Sequence, residues 1–207
     1  MADSQEQIEN NQPEPPSQPW RPSPLGPVWE REGPSLKSAA LTIWQVLRHP
    51  SRTFSAPTPP DRKSATTFGV LLGTFELTLY LMEAAPFHDS AAINYLIVAS
   101  CLAATPFLAW GLLYLDAGVV QLFLNMTRSG ASEFNRTFRV VAYTGGSLAI
   151  FTAIPLVGEL IGYGLGAVLI PYALAPAHGV PKRRTFLAFL VMYLFIAALV
   201  LALIKAC

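Results

Sequence analysis

Three carboxylates lie inside, or at the ends of, long apolar stretches: Glu76, Asp116 and Glu159. A carboxylate at bilayer depth costs about 2.5 to 3.5 kcal/mol on insertion scales, so it marks a polar partner, a proton or an ion. Glu76 falls on the same helical face as Gly69 and Gly73, which turns it into a bundle rather than towards lipid. Two chemistries suit it. One is an ion- or proton-coupling group. The other is a protonated carboxyl bonded to a neighbouring Thr, Ser or Tyr. Glu159 follows Pro155 near one surface, and a site shared by Glu76 and Glu159 is an expectation that structure can test. Asp116 is expected near the opposite interface, solvated.

No other residue set suggests chemistry. His49, His88 and His178 occupy three separate loops, and Cys101 and Cys207 cannot supply a metal quartet or a disulfide framework. No nucleophile elbow, zinc-protease helix motif or phosphate-cradling Gly loop occurs. The expectation is therefore a protein with no catalytic residue, metal or cofactor. A basic stripe for nucleic acid is also missing. Lys182, Arg183 and Arg184 form the one dense basic cluster, able to draw anionic lipid or a partner at about 1 kcal/mol per base near a membrane surface.

The elements that position these residues follow from hydropathy. At 207 residues, 52% hydrophobic and 13% charged, the chain has room for one membrane domain and a short tail. Apolar stretches run over Ala65–Met82, Ala91–Met126, Phe138–Pro155, Leu156–Ala175 and Thr185–Ile204, most of them near the roughly 20 residues of a spanning helix. Helix is the only economical form, because lipid offers the backbone no hydrogen-bond partner. The expected fold is all-α, a polytopic bundle of five transmembrane helices. The second helix would rise about 50 Å against a hydrocarbon core of about 30 Å. It is read as one long helix, with Pro106 as the point where a kink can fall.

Orientation comes from the bases. Arg48, Arg52, Arg62 and Lys63 precede the first stretch, Arg128, Arg136 and Arg139 follow the second, and Lys182, Arg183 and Arg184 precede the fifth. By the positive-inside rule these segments are cytoplasmic, with the N-terminus inside and the C-terminus outside. Residues 1–34, rich in Pro, Gln, Glu and Ser, are expected to be a disordered cytoplasmic tail, with the membrane domain over 35–207. Between tail and membrane, Ser35 can cap an amphipathic helix carrying Trp44 and ending at Arg48-His49-Pro50. That helix suits the membrane interface and the side of the bundle equally. Small-residue ladders, Gly158, Gly162 and Gly166 in one stretch and Gly69 and Gly73 in another, suit close helix packing.

Several local motifs occur in a specific order. His49-Pro50 with Phe54 follows the amphipathic helix. Phe138-Arg139-Val140-Val141-Ala142-Tyr143 comes next, then Ile154-Pro155-Leu156-Val157-Gly158, and Ala177-His178-Gly179 before the last basic cluster. In this succession the chain, from Arg48 onward, resembles the Yip1 domain family, especially its bacterial branch. Val28-Trp29-Glu30-Arg31 resembles a Pro-Trp-Glu segment ahead of the domain in bacterial relatives. The chain departs from the family at Thr144-Gly145-Gly146, where a Pro is common, and it carries no zinc-ribbon tail.

The resemblance implies a five-helix membrane domain with a cytoplasmic N-terminus. Eukaryotic relatives bind small Rab-type GTPases and membrane partners in early secretory membranes. Their motifs find no match here, so small-GTPase binding is carried over to no residue. The function expected is a non-enzymatic scaffold or adaptor in a bacterial inner membrane, binding lipids, a membrane-protein partner or a second copy at the cytoplasmic face. The alternative is a small ion- or proton-coupled transporter or channel subunit that uses Glu76.

Overall fold

The computed structural model describes residues 24–59, 62–84, 90–128, 133–154 and 156–206, and among these every regular element is a helix. Most of the tail, residues 1–23, lies outside the described residues, as do Pro155, His88 and Cys207.

The packed chain begins earlier than the boundary expected at residue 35. Helix α1 (Val28–Glu32) buries Val28 and Trp29. Its Trp29 N–H donates to Thr42 Oγ1 at 2.8 Å, which anchors a helix too short to stand alone. Helix α2 (Leu36–Arg48) starts at Ser35, whose side chain accepts from the Ser38 N–H at 3.0 Å while Ser38 answers to the Ser35 backbone. One face of α2, with Ser38, Ala39, Thr42 and Val46, is buried; Leu41 and Trp44 on the other are exposed. Pro50 at the first turn opens α3 (Pro50–Phe54), because its fixed φ suits a helix start and its missing N–H is not needed there.

Five long helices follow: α4 (Lys63–Ala84), α5 (Ala91–Met126), α6 (Phe134–Thr152), α7 (Val157–His178) and α8 (Lys182–Ala206). Helix α5 runs through Pro106 as one element. Helix α7 closes on Gly179 at φ +65°, where the Val180 N–H reaches the Ala175 carbonyl at 3.0 Å; only glycine adopts that left-handed cap cheaply.

Among the described residues four helices, not five, are long and apolar enough to cross a membrane: Lys63–Ala84, Ala92–Met126, Val157–His178 and Lys182–Lys205. Helix α6 is the exception, diluted by Asn135, Arg136, Thr137, Arg139, Thr144, Gly145, Gly146, Ser147 and Thr152. The reason is its place. It packs against α4, α5, α7 and α2, and residues from Thr137 to Ala149 are almost all buried. A helix that faces protein on most sides does not need a lipid-soluble surface. By contrast α5 and α8 expose Leu96, Phe107, Leu194 and Leu203, as helices bordering lipid should.

Close approach holds α6 to α7. A Cβ on Gly158 would sit 2.0 Å from the Phe151 carbonyl oxygen, and one on Gly162 would sit 2.3 Å from Thr152 Cγ2. At one end of the bundle an aromatic cluster joins the short helices to the long ones. Trp29 meets Phe68 edge-on at 5.4 Å, Phe68 meets Tyr143 at 4.9 Å, and Phe54 lies 6.5 Å from Tyr143. Phe68, Tyr143 and Phe54 are almost completely buried, so truncating any of them to Ala should cost about 3 to 5 kcal/mol.

Candidate functional site

Two features stand out: a cavity within the bundle and a basic, aromatic surface at one end. The cavity, about 600 Å³, takes lining residues from all of α4 to α8. That volume falls within the usual range for a small-molecule site. Small residues border it: Gly69 and Gly73 on α4, Gly145 and Gly146 on α6 and Gly162 and Gly166 on α7, and at all of them but Gly145 an added Cβ would meet a neighbouring atom within 4 Å.

Glu76 and Asp116 both line this cavity, together with Tyr80, Thr152, Tyr163 and Tyr193. Glu76 accepts a hydrogen bond from Thr152 Oγ1 of α6. Asp116 also lines the cavity; it is exposed, and among the described residues its side chain makes no hydrogen bond or ion pair. Among the described residues no Lys, Arg or His lines the space. Glu159 is not among the residues lining the cavity, but it accepts from the hydroxyl of Tyr80, which is, one turn beyond Glu76 on α4.

The register of α4 against α5 fixes how the two cavity carboxylates relate. A Cβ at Gly69 would meet Leu113 and one at Gly73 would meet Ala109, while Thr78 and Thr105 hydroxyls lie 3.1 Å apart, so the helices run antiparallel. Glu76 is then level with Pro106, and Asp116 is about ten residues, roughly 15 Å, further along. Helical Cα–Cβ bonds lean towards the N-terminus, so on antiparallel helices these two side chains lean towards each other. Sequence analysis missed this pairing because each carboxylate was placed by depth on its own helix. Among the described residues no three His, Cys, Asp or Glu side chains converge as a metal site.

The basic surface gathers at the end where α4, α6 and α8 begin and α5 and α7 finish. There Thr137 of α6 bonds Gln121 of α5 and, at 2.9 Å, Nε2 of His178 of α7. Arg136 Nη1 donates to the Ala177 carbonyl at 3.2 Å. Lys182 Nζ sits 3.8 Å from the centre of the Tyr172 ring, and Ser51 Oγ of α3 donates to the Tyr172 carbonyl at 3.3 Å. Lys182, Arg183 and Arg184 are exposed, as is Trp44, over which Arg48 stacks at 5.2 Å.

Arg139 behaves differently from the other bases. Its Nε and Nη2 donate to Glu30 Oε1 and Oε2 at 2.8 and 2.7 Å, both side chains are only 4% exposed, and Nη1 reaches the Ala56 carbonyl at 3.2 Å. This bidentate pair ties α1 to α6. Its guanidinium lies 5.9 Å from the Phe54 ring.

The motif positions singled out in the sequence therefore serve this junction and the helix ends. Pro50 is buried at the start of α3, Phe54 and Tyr143 are buried against each other with Arg139 near the Phe54 ring, Gly158 allows the α6–α7 approach, His178 bonds Thr137, and Gly179 caps α7. Pro155 lies outside the described residues.

Comparison with curated proteins gives no match, and comparison with solved structures gives none either. A family model described as the Yip1 domain matches residues 44–204, from the exposed Trp44 of α2 to the last turns of α8. With four helices able to cross a membrane, and a family match over most of its length, the chain is a multi-pass membrane protein that belongs to the Yip1 domain family.

Proposed function

We propose that this protein is a non-enzymatic membrane adaptor whose basic end binds anionic lipid or a partner protein at the cytoplasmic surface. The observation that carries the reading is the surface built from α2, α3 and the start of α8. Trp44 lies exposed under Arg48, Lys182 sits over the Tyr172 ring, and Arg183 and Arg184 next to it are exposed. An exposed indole among bases suits a headgroup layer.

The same reading has α6 cross as a fifth span, shielded by its neighbours. Five crossings put the basic ends of α4, α5, α6, α7 and α8 on one side, which the positive-inside rule makes cytoplasmic, and leave the C-terminus outside. The branch of the family that the motifs resemble favours a bacterial inner membrane.

The test replaces Lys182, Arg183 and Arg184 with Ala and isolates the protein in a lipid-preserving polymer. At about 1 kcal/mol per base, the triple variant should retain anionic lipid up to roughly a hundredfold more weakly. Unchanged lipid retention and unchanged partner recovery would refute the reading. A second reading is favoured by the cavity: a small ion- or proton-coupled transporter with Glu76 as the coupling group. In that case Glu76→Gln should abolish a cation-dependent flux in vesicles while the protein stays folded.

A further inference from the structure

We infer that the outer face of α2 is immersed in lipid, at the boundary between headgroups and acyl chains on the basic side of the bundle. The inference deepens the adaptor reading, on which it rests for the choice of leaflet, by making α2 the element that enters the bilayer and lipid its partner.

Composition comes first. A helix on the side of a water-soluble protein buries its apolar stripe and exposes its polar one. Helix α2 does otherwise. Its exposed residues are Leu36, Lys37, Ala40, Leu41, Trp44 and Arg48, with Leu36 91%, Leu41 41% and Trp44 60% exposed. Its buried residues include the hydroxyl side chains Ser38 and Thr42. Both are satisfied on the inner side: Ser38 Oγ donates to the Gly33 carbonyl at 2.6 Å, and Thr42 Oγ1 accepts from the Trp29 N–H at 2.8 Å. The hydroxyls hold α1 and its turn, and large apolar side chains are left facing outward.

Arrangement comes second. Lys37, Leu41, Trp44 and Arg48 follow one another at helical spacing and form one stripe, with a base at each end and only apolar residues between. Basic side chains so placed lift their charges to the headgroups while their stems stay in apolar surroundings. A helix of 13 residues is about 20 Å long, too short to cross a hydrocarbon core of about 30 Å, so it enters lipid lying along the surface.

Level comes third. Helix α3 continues directly from α2 through His49, and its Ser51 Oγ donates to the Tyr172 carbonyl while Lys182 sits over the Tyr172 ring. The end of α2 is thereby brought beside the first base of the Lys182–Arg184 cluster, and such clusters mark the headgroup layer. The stripe thus meets acyl chains on its apolar residues and headgroups on its bases.

The experiment uses the full chain, freed of its own thiols by Cys101→Ser and Cys207→Ser, in nanodiscs of phosphatidylcholine alone. A nitroxide label at one introduced cysteine reports collision with oxygen, which concentrates in acyl chains, and with a water-soluble nickel chelate. Leu41→Cys and Trp44→Cys are the test positions. Leu194→Cys on α8 is the lipid reference, and Glu133→Cys, exposed ahead of α6, is the water reference. Labels at 41 and 44 should give an oxygen-to-nickel ratio several-fold above that at 133 and on the side of that at 194. A ratio equal to that at 133 would overturn the proposal. So would low collision with both reagents, which means that protein covers the face; removal of residues 1–23 then tells the chain's own tail from a second copy. Because the bundle is already anchored, immersion of α2 needs no anionic lipid, and its failure is read apart from that of the adaptor reading. Unchanged lipid and partner retention after loss of Lys182, Arg183 and Arg184 would refute the adaptor alone, and water-exposed labels would refute immersion alone.

Discussion

Replacing Glu30 with Ala removes the carboxylate that holds Arg139 by two hydrogen bonds of 2.8 and 2.7 Å. With α1 in place, the guanidinium would keep only the Ala56 carbonyl at 3.2 Å as an acceptor, at a position 4% exposed. Stranding one member of a buried pair costs about 3 to 5 kcal/mol. The chain has a way out, because α1 joins the bundle mainly through this pair, the Trp29–Phe68 contact and the Trp29–Thr42 hydrogen bond. It can lift off and let water reach Arg139. The cost therefore shows as undocking of α1 rather than as loss of the whole bundle. At tenfold per 1.4 kcal/mol, the undocked population should rise roughly a hundred- to a few thousandfold. Tryptic cleavage after Arg31 reads that population directly when reclosing is faster than cutting. Cleavage in Glu30→Ala should speed up by a factor of that order while the thermal midpoint of the long helices moves little. Glu30→Met combined with Arg139→Leu should return cleavage close to the original rate, since an apolar pair leaves no stranded charge. Cleavage of Glu30→Ala within threefold of the parent would refute the argument.

Four further outcomes follow from the geometry. Gly158→Ala should abolish a stable α6–α7 contact, seen as a large fall in thermal midpoint, because its Cβ would meet a backbone oxygen at 2.0 Å that no rotamer can move. Gly179→Ala meets no atom within 4 Å, yet its φ of +65° should cost about 1 kcal/mol in unfolding measurements. Thr144→Val should be neutral or stabilising by about 1 kcal/mol, since the buried Thr144 hydroxyl has no hydrogen-bond partner. Thr152→Val should leave the α6 backbone intact but deprive Glu76 of its donor, weakening any cation-dependent signal less than Glu76→Gln does.

Local signals in the sequence reached as far as local physics does. Ser35 capped α2, Arg48-His49-Pro50 ended it, and α5 ran uninterrupted from Ala91 to Met126 as its apolar length suggested. What could not be read locally was pairing at a distance. Glu30 and Arg139 stand 109 positions apart, and nothing in a Pro-rich segment distinguishes a docked five-residue helix from a solvated tail. Asp116 joined Glu76 because Gly69 and Gly73 set the sliding register of α4 on α5, a property of two surfaces together. Hydropathy also ranked α6, as the stretch Phe138–Pro155, alongside its neighbours as a spanning helix. Its polar residues turned out to face protein, which is why its composition can fall below that of a helix bathed in lipid.

That composition bears on how the protein is made. In the five-crossing arrangement, the helix against which α4, α5 and α7 all pack is also the one least able to partition into lipid by itself. During synthesis it leaves the insertion machinery after α4 and α5 but before α7, so it enters a groove already two-thirds built and waits for its third wall. Insertion of α6 is then an act of assembly rather than of solubility, and chains halted soon after Thr152 should expose that helix to quality-control proteases while chains extended through His178 should not.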